Sequence, residues 1–288
     1  MALTESEAVG LINVLPVECV ASVLSFTSPP DAGRSSLVST TFRSAAEFDA
    51  VWESFLPPQY KSIISRSADS SSSLCFSSKK ELYLHLCDHP LLIDDGRKSF
   101  WLEKMSGKIC YMLSPKDLLI AWMENPHYWR WTSLPDARFP EVAELIQVWW
   151  LEIRGKINTC MLSRATLYTA YLVFNLSSKS RGFVNLRMEA AVGGHKRRVF
   201  LDVKQEGVRG FNPRAGMGYF QELRWREEDG ERPKKRGDGW LEIELGDFFN
   251  GGDDDDDEVE ISVLEAVKAG MLKRGLIVQG IEIRPKSV

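Results

Sequence analysis

The stretch "LYTAYLVFNL" at residues 167–176 is apolar and aromatic over the length of one β-strand, and it points to the fold class. "GWLEIELGDFF" (239–249) and "LIVQGIEIRP" (276–285) have the same character, with alternating or continuous apolar side chains. Four more stretches share it: "VWWLEIRGKI" (148–157), "FVNLRMEAAV" (183–192), "RVFLDVK" (198–204) and "VEISVLEAV" (259–267). Because Gly, Asn, Asp and Pro separate these segments and few helical segments intervene, the pattern predicts an antiparallel β-sandwich.

The N-terminal segment, residues 11–56, has a helical pattern instead. Pro16 suits the first turn of a helix, and Val20, Val23 and Leu24 then recur at the spacing of one apolar helix face. A later stretch, "TTFRSAAEFDAVWESFLPPQY" (40–60), is also helical up to its two prolines. A unit of about 45 residues buries little surface, so we expect these helices to need a partner.

Composition limits the classes of partner. The chain has 288 residues, a charged fraction of 26% and a net charge of -4, which suit two soluble domains. The first 60 residues hold seven acidic and two basic side chains, and the remainder is nearly balanced. Without a clustered basic surface we expect no nucleic-acid partner. No apolar run approaches the roughly 18 residues of a membrane span, so we expect no membrane partner.

The five cysteines are scattered and form no CxxC pair, which indicates thiols in a reducing compartment. The N-terminal stretch "MALTESEAVG" carries two glutamates and no basic region of the kind that begins a signal peptide. We therefore expect the protein in the cytoplasm and nucleus.

The segment "LPVECVASVLSFTSPPDAGRSSLVSTTFRSAAEFDAVWESFLP" (15–57) resembles an F-box from its Leu-Pro start to its "VWESFLP" close. The resemblance implies a substrate receptor of an SCF ubiquitin ligase, whose F-box helices dock on a Skp-type linker joined to the cullin. The candidates for the docking face and its supporting core are Leu15, Pro16, Val23, Leu24, Leu37, Val38 and Trp52. Each could instead only pack the helices together, and for Trp52 we favour contact with the linker.

Four ordered blocks resemble the phloem protein 2 domain, also called the Nictaba-type lectin domain. They are "SPKDLLIAWMENPHYWRW" (114–131), "EVAELIQVWWLEIRGKI" (141–157), "GWLEIELGDFF" (239–249) and "GLIVQGIEIRP" (275–285). The whole chain thus resembles an F-box phloem protein 2-like protein, of α + all-β class. We expect a three-helix F-box at 11–57, a Ser-rich linker with a short helix at 58–99, and a jelly-roll-like antiparallel sandwich at 100–288.

The lectin resemblance implies binding of N-acetylglucosamine oligomers and N-glycan cores. A sugar ring has a face of C–H groups that stacks on an indole, and a rim of hydroxyls that binds carboxylates. The family implicates the first two tryptophans of a W-x-x-N-P-x-Y-W motif, here Trp122 and Trp129, which flank the predicted Asn-Pro turn. Both could instead be core residues, and we expect Trp131 and Tyr128 to be structural.

The family also implicates two acidic residues, which correspond here to Asp247 and Asp254. Asp247 stands in "GDFF" where the family has "GEFF", so its shorter side chain reaches less far. Three functions therefore stay open. They are a lectin-type substrate receptor, an adaptor whose sandwich binds protein clients without carbohydrate, and a non-ligase structural or defence lectin, which the F-box disfavours.

No catalytic or cofactor site is expected. Ubiquitin transfer needs a catalytic cysteine, which another subunit supplies, and no cysteine here has an activated setting. His85, Cys87 and His89, with Cys75 upstream, could bind zinc, but their spacing fits no standard finger. We therefore predict a non-catalytic ligase component without a metal or other cofactor.

Overall fold

The computed structural model describes residues 15–67, 76–203, 230–252, 257–266 and 271–286. Within these ranges, six helices precede the first strand. They are α1 (Val17–Leu24), α2 (Pro29–Ser35), α3 (Thr40–Ala46), α4 (Asp49–Phe55), α5 (Tyr60–Ser65) and α6 (Lys79–Asp88). No helix in the described part of the chain is both long and apolar enough to cross a membrane.

The first four helices form a small bundle with a thin core. Pro16 immediately precedes α1, and the hydroxyls of Ser28 and Ser39 cap α2 and α3 by accepting backbone N–H bonds. The predicted helical stretch at 40–60 divides into α3 and α4. Ala32, Ala45 and other small side chains occupy the interior, which lets α1 approach α3 closely.

Helix α6 joins this bundle to the sheet. Its buried Tyr83 lies 5.4 Å from Trp52 of α4, between ring centroids, and its hydroxyl donates to the carbonyl of Lys104 at 3.1 Å. At Gly107 a Cβ atom would lie 2.8 Å from the carbonyl oxygen of Phe55, and φ is +70°. Only glycine permits this approach without a shift. The buried side chains of the helices and of the sheet form one continuous core.

Fourteen strands follow in the described residues. They are β1 (Leu91–Ile93), β2 (Lys98–Leu102), β3 (Ile109–Leu113), β4 (Leu119–Ile120), β5 (Trp129–Thr132), β6 (Val142–Leu145), β7 (Glu152–Asn158), β8 (Thr166–Arg181), β9 (Met188–Val192), β10 (His195–Val199), β11 (Lys234–Lys235), β12 (Leu241–Asn250), β13 (Glu258–Glu265) and β14 (Arg274–Pro285). The sheet therefore begins before residue 100, where the sequence places the start of the sandwich.

The strands form two antiparallel sheets. The larger has the order β1-β2-β3-β14-β8-β12-β11, with β6 pairing with β14 and β5 with β6, and the smaller has the order β10-β9-β13-β7-β4. The sheets pack through β12 of the larger against β9, β10 and β13 of the smaller. Apolar side chains of both meet in one core, which confirms the α + all-β class with an antiparallel sandwich.

The longest strands bend at glycines. Register shifts lie between Glu244 and Gly246 of β12 and between Val278 and Gly280 of β14. Both glycines have φ near +154°, and a Cβ on Gly280 would meet the Leu113 carbonyl oxygen at 2.1 Å. These bulges let both strands curve around the core.

One ion pair lies entirely inside the sandwich. The ammonium of Lys273 lies 2.8 Å from the Glu265 carboxylate, and both side chains are inaccessible to solvent. The same ammonium donates to the carbonyls of Trp149 (3.0 Å) and Met271 (2.9 Å). Three acceptors therefore surround the buried charge, and they tie the segment before β7 to the start of β14.

Candidate functional site

The F-box helices leave large apolar side chains in solvent. Helix α1 turns Val20, Ala21 and Leu24 inward, which directs Val23 outward. The exposed set is 44% to 91% accessible and consists of Leu15, Val23, Phe26, Leu37 and Val38. Four of these, all but Phe26, are among the predicted docking residues, and the predicted Pro16 is exposed as well. Phe26 is not among the predicted docking residues, although its place between α1 and the prolines of α2 favours exposure.

Two of the predicted residues, Leu24 and Trp52, belong to the buried core and not to the exposed face, a choice that the prediction left open for Leu24. Leu24 is buried because it lies on the same helix face as Val20. The Trp52 ring is buried between α4 and α6, and its indole N–H donates to the Ala46 carbonyl at 2.7 Å. The favoured interpretation of Trp52 as a linker contact is therefore corrected. The Trp52 ring is part of the core that supports the F-box helices.

Trp122 is exposed at the tip of the predicted turn. Its φ of +65° is unusual for a bulky side chain, and its carbonyl accepts the N–H of Asn125 at 3.0 Å. The Asn125 side chain in turn accepts the N–H of His127. The ring of Tyr128 lies 5.9 Å away between centroids and supports the indole.

Trp129 is not a surface platform. It is 2% exposed, lies opposite Leu145 at the start of β5, and donates its indole N–H to the Ala121 carbonyl at 3.0 Å. A ring buried on both faces offers no area to a ligand, so its expected role is corrected. Trp131, which was expected to be structural, is 40% exposed.

Asp247 lies on a different part of the sandwich. Its neighbour Phe248 stacks on Tyr168 in the core, so Asp247 points to the outer face of the large sheet. Its carboxylate accepts the Thr169 hydroxyl at 2.6 Å and pairs with Lys286 at 2.5 Å. Burial opposes its ionisation, but these partners outweigh burial and hold the pKa of Asp247 below its ordinary value. Its contacts include neither Trp122 nor Trp129, and Asp254 lies outside the described residues.

A cleft of about 830 Å³ opens beside the tryptophan turn. Its walls are the Pro115–Asp117 turn, strand β4, the start of β7 and the exposed indole of Trp131. Ala121 and Met123, the chain neighbours of Trp122, also line it. This volume lies in the range of small-ligand sites, and the lining combines apolar and charged side chains.

The polar groups of the cleft are partly fixed by each other. Lys116 pairs with Glu141 at 2.7 Å, and its ammonium lies 5.4 Å from the centre of the Trp131 ring. Arg154 pairs with Glu152 at 2.7 Å. The cleft therefore has paired charged side chains next to an indole, a feature that sequence spacing alone did not reveal.

Two histidines lie close together at the end of α6. The rings of His85 and His89 stack at 4.6 Å, and no group of three or more metal-ligating side chains occurs in the described residues. Cys75 lies outside them. Burial raises the pKa of Cys87 to about 11 and that of the Cys110 thiol well above its usual range. Both thiols stay protonated at neutral pH, which is unsuited to a nucleophile.

Comparison with known proteins gives two family matches. A model described as phloem protein 2 matches residues 108–285, and one described as F-box domain matches residues 12–54. The Arabidopsis thaliana F-box protein At2g02240 is 47% identical over 95% of this chain and 80% of its own length. The F-box protein PP2-B10 of the same plant is 47% identical over 95% of this chain and 93% of its own.

A family 35 carbohydrate-binding module from Clostridium thermocellum aligns with 60% of this chain and 96% of its own, at 11% identity and a TM-score of 0.31.

Proposed function

Because this chain belongs to the phloem protein 2 family and carries an F-box, we propose that it is the substrate-receptor subunit of an SCF ubiquitin ligase. In this role the F-box docks on a Skp-type linker, and the sandwich binds the client. The observation that carries the proposal is the exposed apolar surface of the F-box helices, Leu15, Val23, Phe26, Leu37 and Val38.

That surface has the chemistry of an interface. Fully burying a Val, Leu or Phe side chain contributes about 1.5–3 kcal/mol. Five such side chains within residues 15–38 offer enough apolar area to offset the entropy lost on association. In the free protein the same residues would only add exposed apolar surface, which folded domains keep small unless it serves binding.

The protein acts without catalysis of its own. F-box proteins are in general non-catalytic substrate adaptors, and neither matched family is an enzyme family. The four described cysteines form no disulfide, which suits a reducing compartment. We place the assembly in the cytoplasm and nucleus.

For the client-binding role, we propose that the sandwich recognises glycans that contain N-acetylglucosamine. The exposed indole of Trp122, supported by Tyr128, retains one of the two predicted sugar-binding tryptophans. The alternative is an adaptor whose sandwich binds protein clients without carbohydrate. Asp247 binds Thr169 and Lys286 and not the tryptophan turn. This favours the alternative over a single sugar site built from Asp247 and the tryptophan turn.

Linker docking is tested by measuring affinity for a purified Skp-type linker by biolayer interferometry. We expect the double variant Val23→Asp/Leu37→Asp to bind at least a hundredfold more weakly, because two charges would be buried against an apolar partner. The matched control is Val184→Asp, an exposed valine of the sandwich. Equal affinity for all three proteins would overturn the docking proposal.

Glycan recognition is tested on an array with the full-length chain. We expect signal above background for N-acetylglucosamine oligomers or N-glycan cores. The Val23→Asp/Leu37→Asp variant should give the same signal as the parent protein, because it keeps the sandwich intact. An array without signal, from protein shown to be folded by its melting temperature, would favour the protein-client alternative.

A further inference from the structure

We infer that the exposed face at the end of β8 and the start of β14 is a docking surface for an acidic peptide segment of a client protein. This strand-end surface consists of Arg181, Arg274, Leu272 and Trp149. The inference rests on the proposed client-binding role of the sandwich, and it names a surface for protein clients that shares no residue with the F-box face.

Two arginines stand directly opposite each other on this surface. Arg274 of β14 pairs with Arg181 of β8 in the antiparallel register, and both side chains are exposed. The Cβ atoms of such a pair lie about 4.5–5.5 Å apart, so the two like charges repel each other. Within the described residues, neither arginine side chain makes an ion pair or a hydrogen bond. A carboxylate bound by both guanidinium groups would remove this repulsion and add charge-assisted hydrogen bonds.

The backbone beside each arginine is closely packed. Gly182 follows Arg181, and a Cβ atom on it would lie 2.5 Å from the Leu272 carbonyl oxygen. Gly275 follows Arg274, and a Cβ atom there would lie 2.5 Å from the Ser177 hydroxyl oxygen. Both glycines also have positive φ. Glycine at these positions lets the two strand ends pack together, so a partner would meet arginines whose backbone is already ordered.

An exposed indole lies on the same face as the arginines. Val148 and Lys273 form a β-bridge, and both side chains are buried. Because side chains alternate along a strand, Trp149, Leu272 and Arg274 point to the opposite, outer face. Trp149 is 63% exposed, and its carbonyl accepts the buried Lys273 ammonium at 3.0 Å, which fixes the backbone under the indole. Tryptophan and arginine are the residue types that contribute most to binding at protein interfaces.

The charges favour an acidic peptide over a membrane or a nucleic acid. The whole chain has a net charge of -4, which repels extended surfaces that carry many negative charges. The two arginines match the carboxylates of a short segment, and Trp149 and Leu272 match an apolar side chain next to them. A peptide segment that combines acidic and apolar residues therefore fits the strand-end surface.

The test begins with a phage-displayed library of random linear peptides, selected on the full-length chain. We expect enrichment of Asp and Glu next to Leu, Phe or Trp. The most enriched peptide is then synthesised with a fluorescent label, and its affinity is measured by fluorescence polarisation. We expect Arg181→Glu/Arg274→Glu to bind it at least about tenfold more weakly, because attraction becomes repulsion. Trp149→Ala should bind it several-fold more weakly, because the apolar contact is lost.

Two controls separate docking from general charge and from folding. Arg198→Glu/Lys234→Glu changes the net charge by the same amount at exposed positions of β10 and β11, and it should bind the peptide as the parent protein does. The single variant Arg181→Glu places opposite charges across the strand pair, so its melting temperature should be no lower than that of the parent protein. Its peptide affinity should nevertheless fall.

The inference is overturned if the selection enriches no acidic peptide, or if Arg181→Glu/Arg274→Glu binds the peptide like the parent protein or no more weakly than the control pair does. Sedimentation of the parent protein with vesicles of phosphatidylserine and phosphatidylcholine, without peptide enrichment, would assign the surface to a membrane and also overturn it. Affinity for the Skp-type linker, measured on the same variants, should be unchanged. Failure of the strand-end surface is therefore distinguishable from failure of linker docking.

Discussion

The F-box helices and the β-sandwich use their large apolar side chains in opposite ways. In the helices, many of the buried positions are small, among them Ala21, Ala32, Ala45 and Ala46, while Phe26 and Leu37 are exposed. In the sandwich, large rings fill the interior, among them Phe100, Tyr111, Tyr168 and Phe174. The sandwich therefore buries its large apolar side chains in its own core, whereas the helices leave several of theirs exposed to solvent.

The junction between the two regions is packed like the sandwich, with large aromatic rings. Trp52, Phe55 and Tyr83 form an aromatic cluster in which each ring centroid lies within 6.3 Å of the others. This cluster continues into the core of the sheet, so packed side chains connect the F-box helices to the sandwich. Under the proposed docking role, the buried F-box residues stabilise the fold and a separate, exposed set contacts the linker.

The largest expected effect is at the junction. Trp52→Ala should lower the free energy of unfolding by roughly 3–5 kcal/mol, because it leaves a cavity and an unpaired Ala46 carbonyl. The matched change Leu37→Ala, at an exposed position, should stay within about 0.5 kcal/mol of the parent protein. Urea unfolding followed by circular dichroism measures both. Similar losses in the two variants would remove the distinction between supporting and docking residues.

An effect of similar size is expected inside the sandwich. Lys273→Met leaves the Glu265 carboxylate buried without its cation, which costs roughly 3–5 kcal/mol. Linker affinity, measured at a temperature where the variant stays folded, should be unchanged. Lys235→Met, at an exposed lysine of β11, is the control and should unfold like the parent protein. If Lys273→Met weakened linker binding as Leu37→Asp does, the two regions would not be separable.

The smallest effect is expected at the polar contact between the regions. Arg66, which follows α5, binds both carboxylate oxygens of Asp94 in the β1–β2 turn at 2.8 and 2.5 Å. This hydrogen bond lowers the pKa of Asp94 below its ordinary value of 3.8. The ionised carboxylate therefore stabilises the fold above that pH, and its contribution disappears as pH falls through the lowered value.

The variant Asp94→Asn should thus be less stable than the parent protein by roughly 0.5–1 kcal/mol at pH 7, and this difference should shrink as the pH falls through the lowered pKa of Asp94. Asparagine also accepts the positive φ of +54° at this position, so backbone strain does not obscure the comparison. Denaturant unfolding across this pH range measures the difference. A gap that widened toward low pH would contradict the assigned ion pair.

The sequence predicts the sandwich well because strand alternation is local. The apolar stretches at 167–176, 239–249 and 276–285 coincide with β8, β12 and β14. The short strands β1 to β6 were not predicted individually, since two to five residues carry too little periodicity. Of the described residues of "RVFLDVK", only Arg198 and Val199 lie in a strand.

The candidate sites were less predictable because they depend on burial. Val23 and Leu24 are adjacent, yet one faces solvent and the other the core, a difference of about 100° of helix rotation. Trp129 and Trp131 lie two residues apart in β5, so alternation assigns them to the same face. Only the packing of the strand against the core, which a sequence does not encode locally, distinguishes the buried indole from the exposed one.

The central claim is that the exposed face of the F-box helices is a docking surface for a Skp-type linker. Hydrogen–deuterium exchange of the full-length chain, with and without a saturating purified linker, tests it most directly. We expect slowed exchange confined to peptides within residues 15–38 and unchanged exchange in β8 and β14. Unchanged exchange throughout, or protection only in the sandwich, would contradict it.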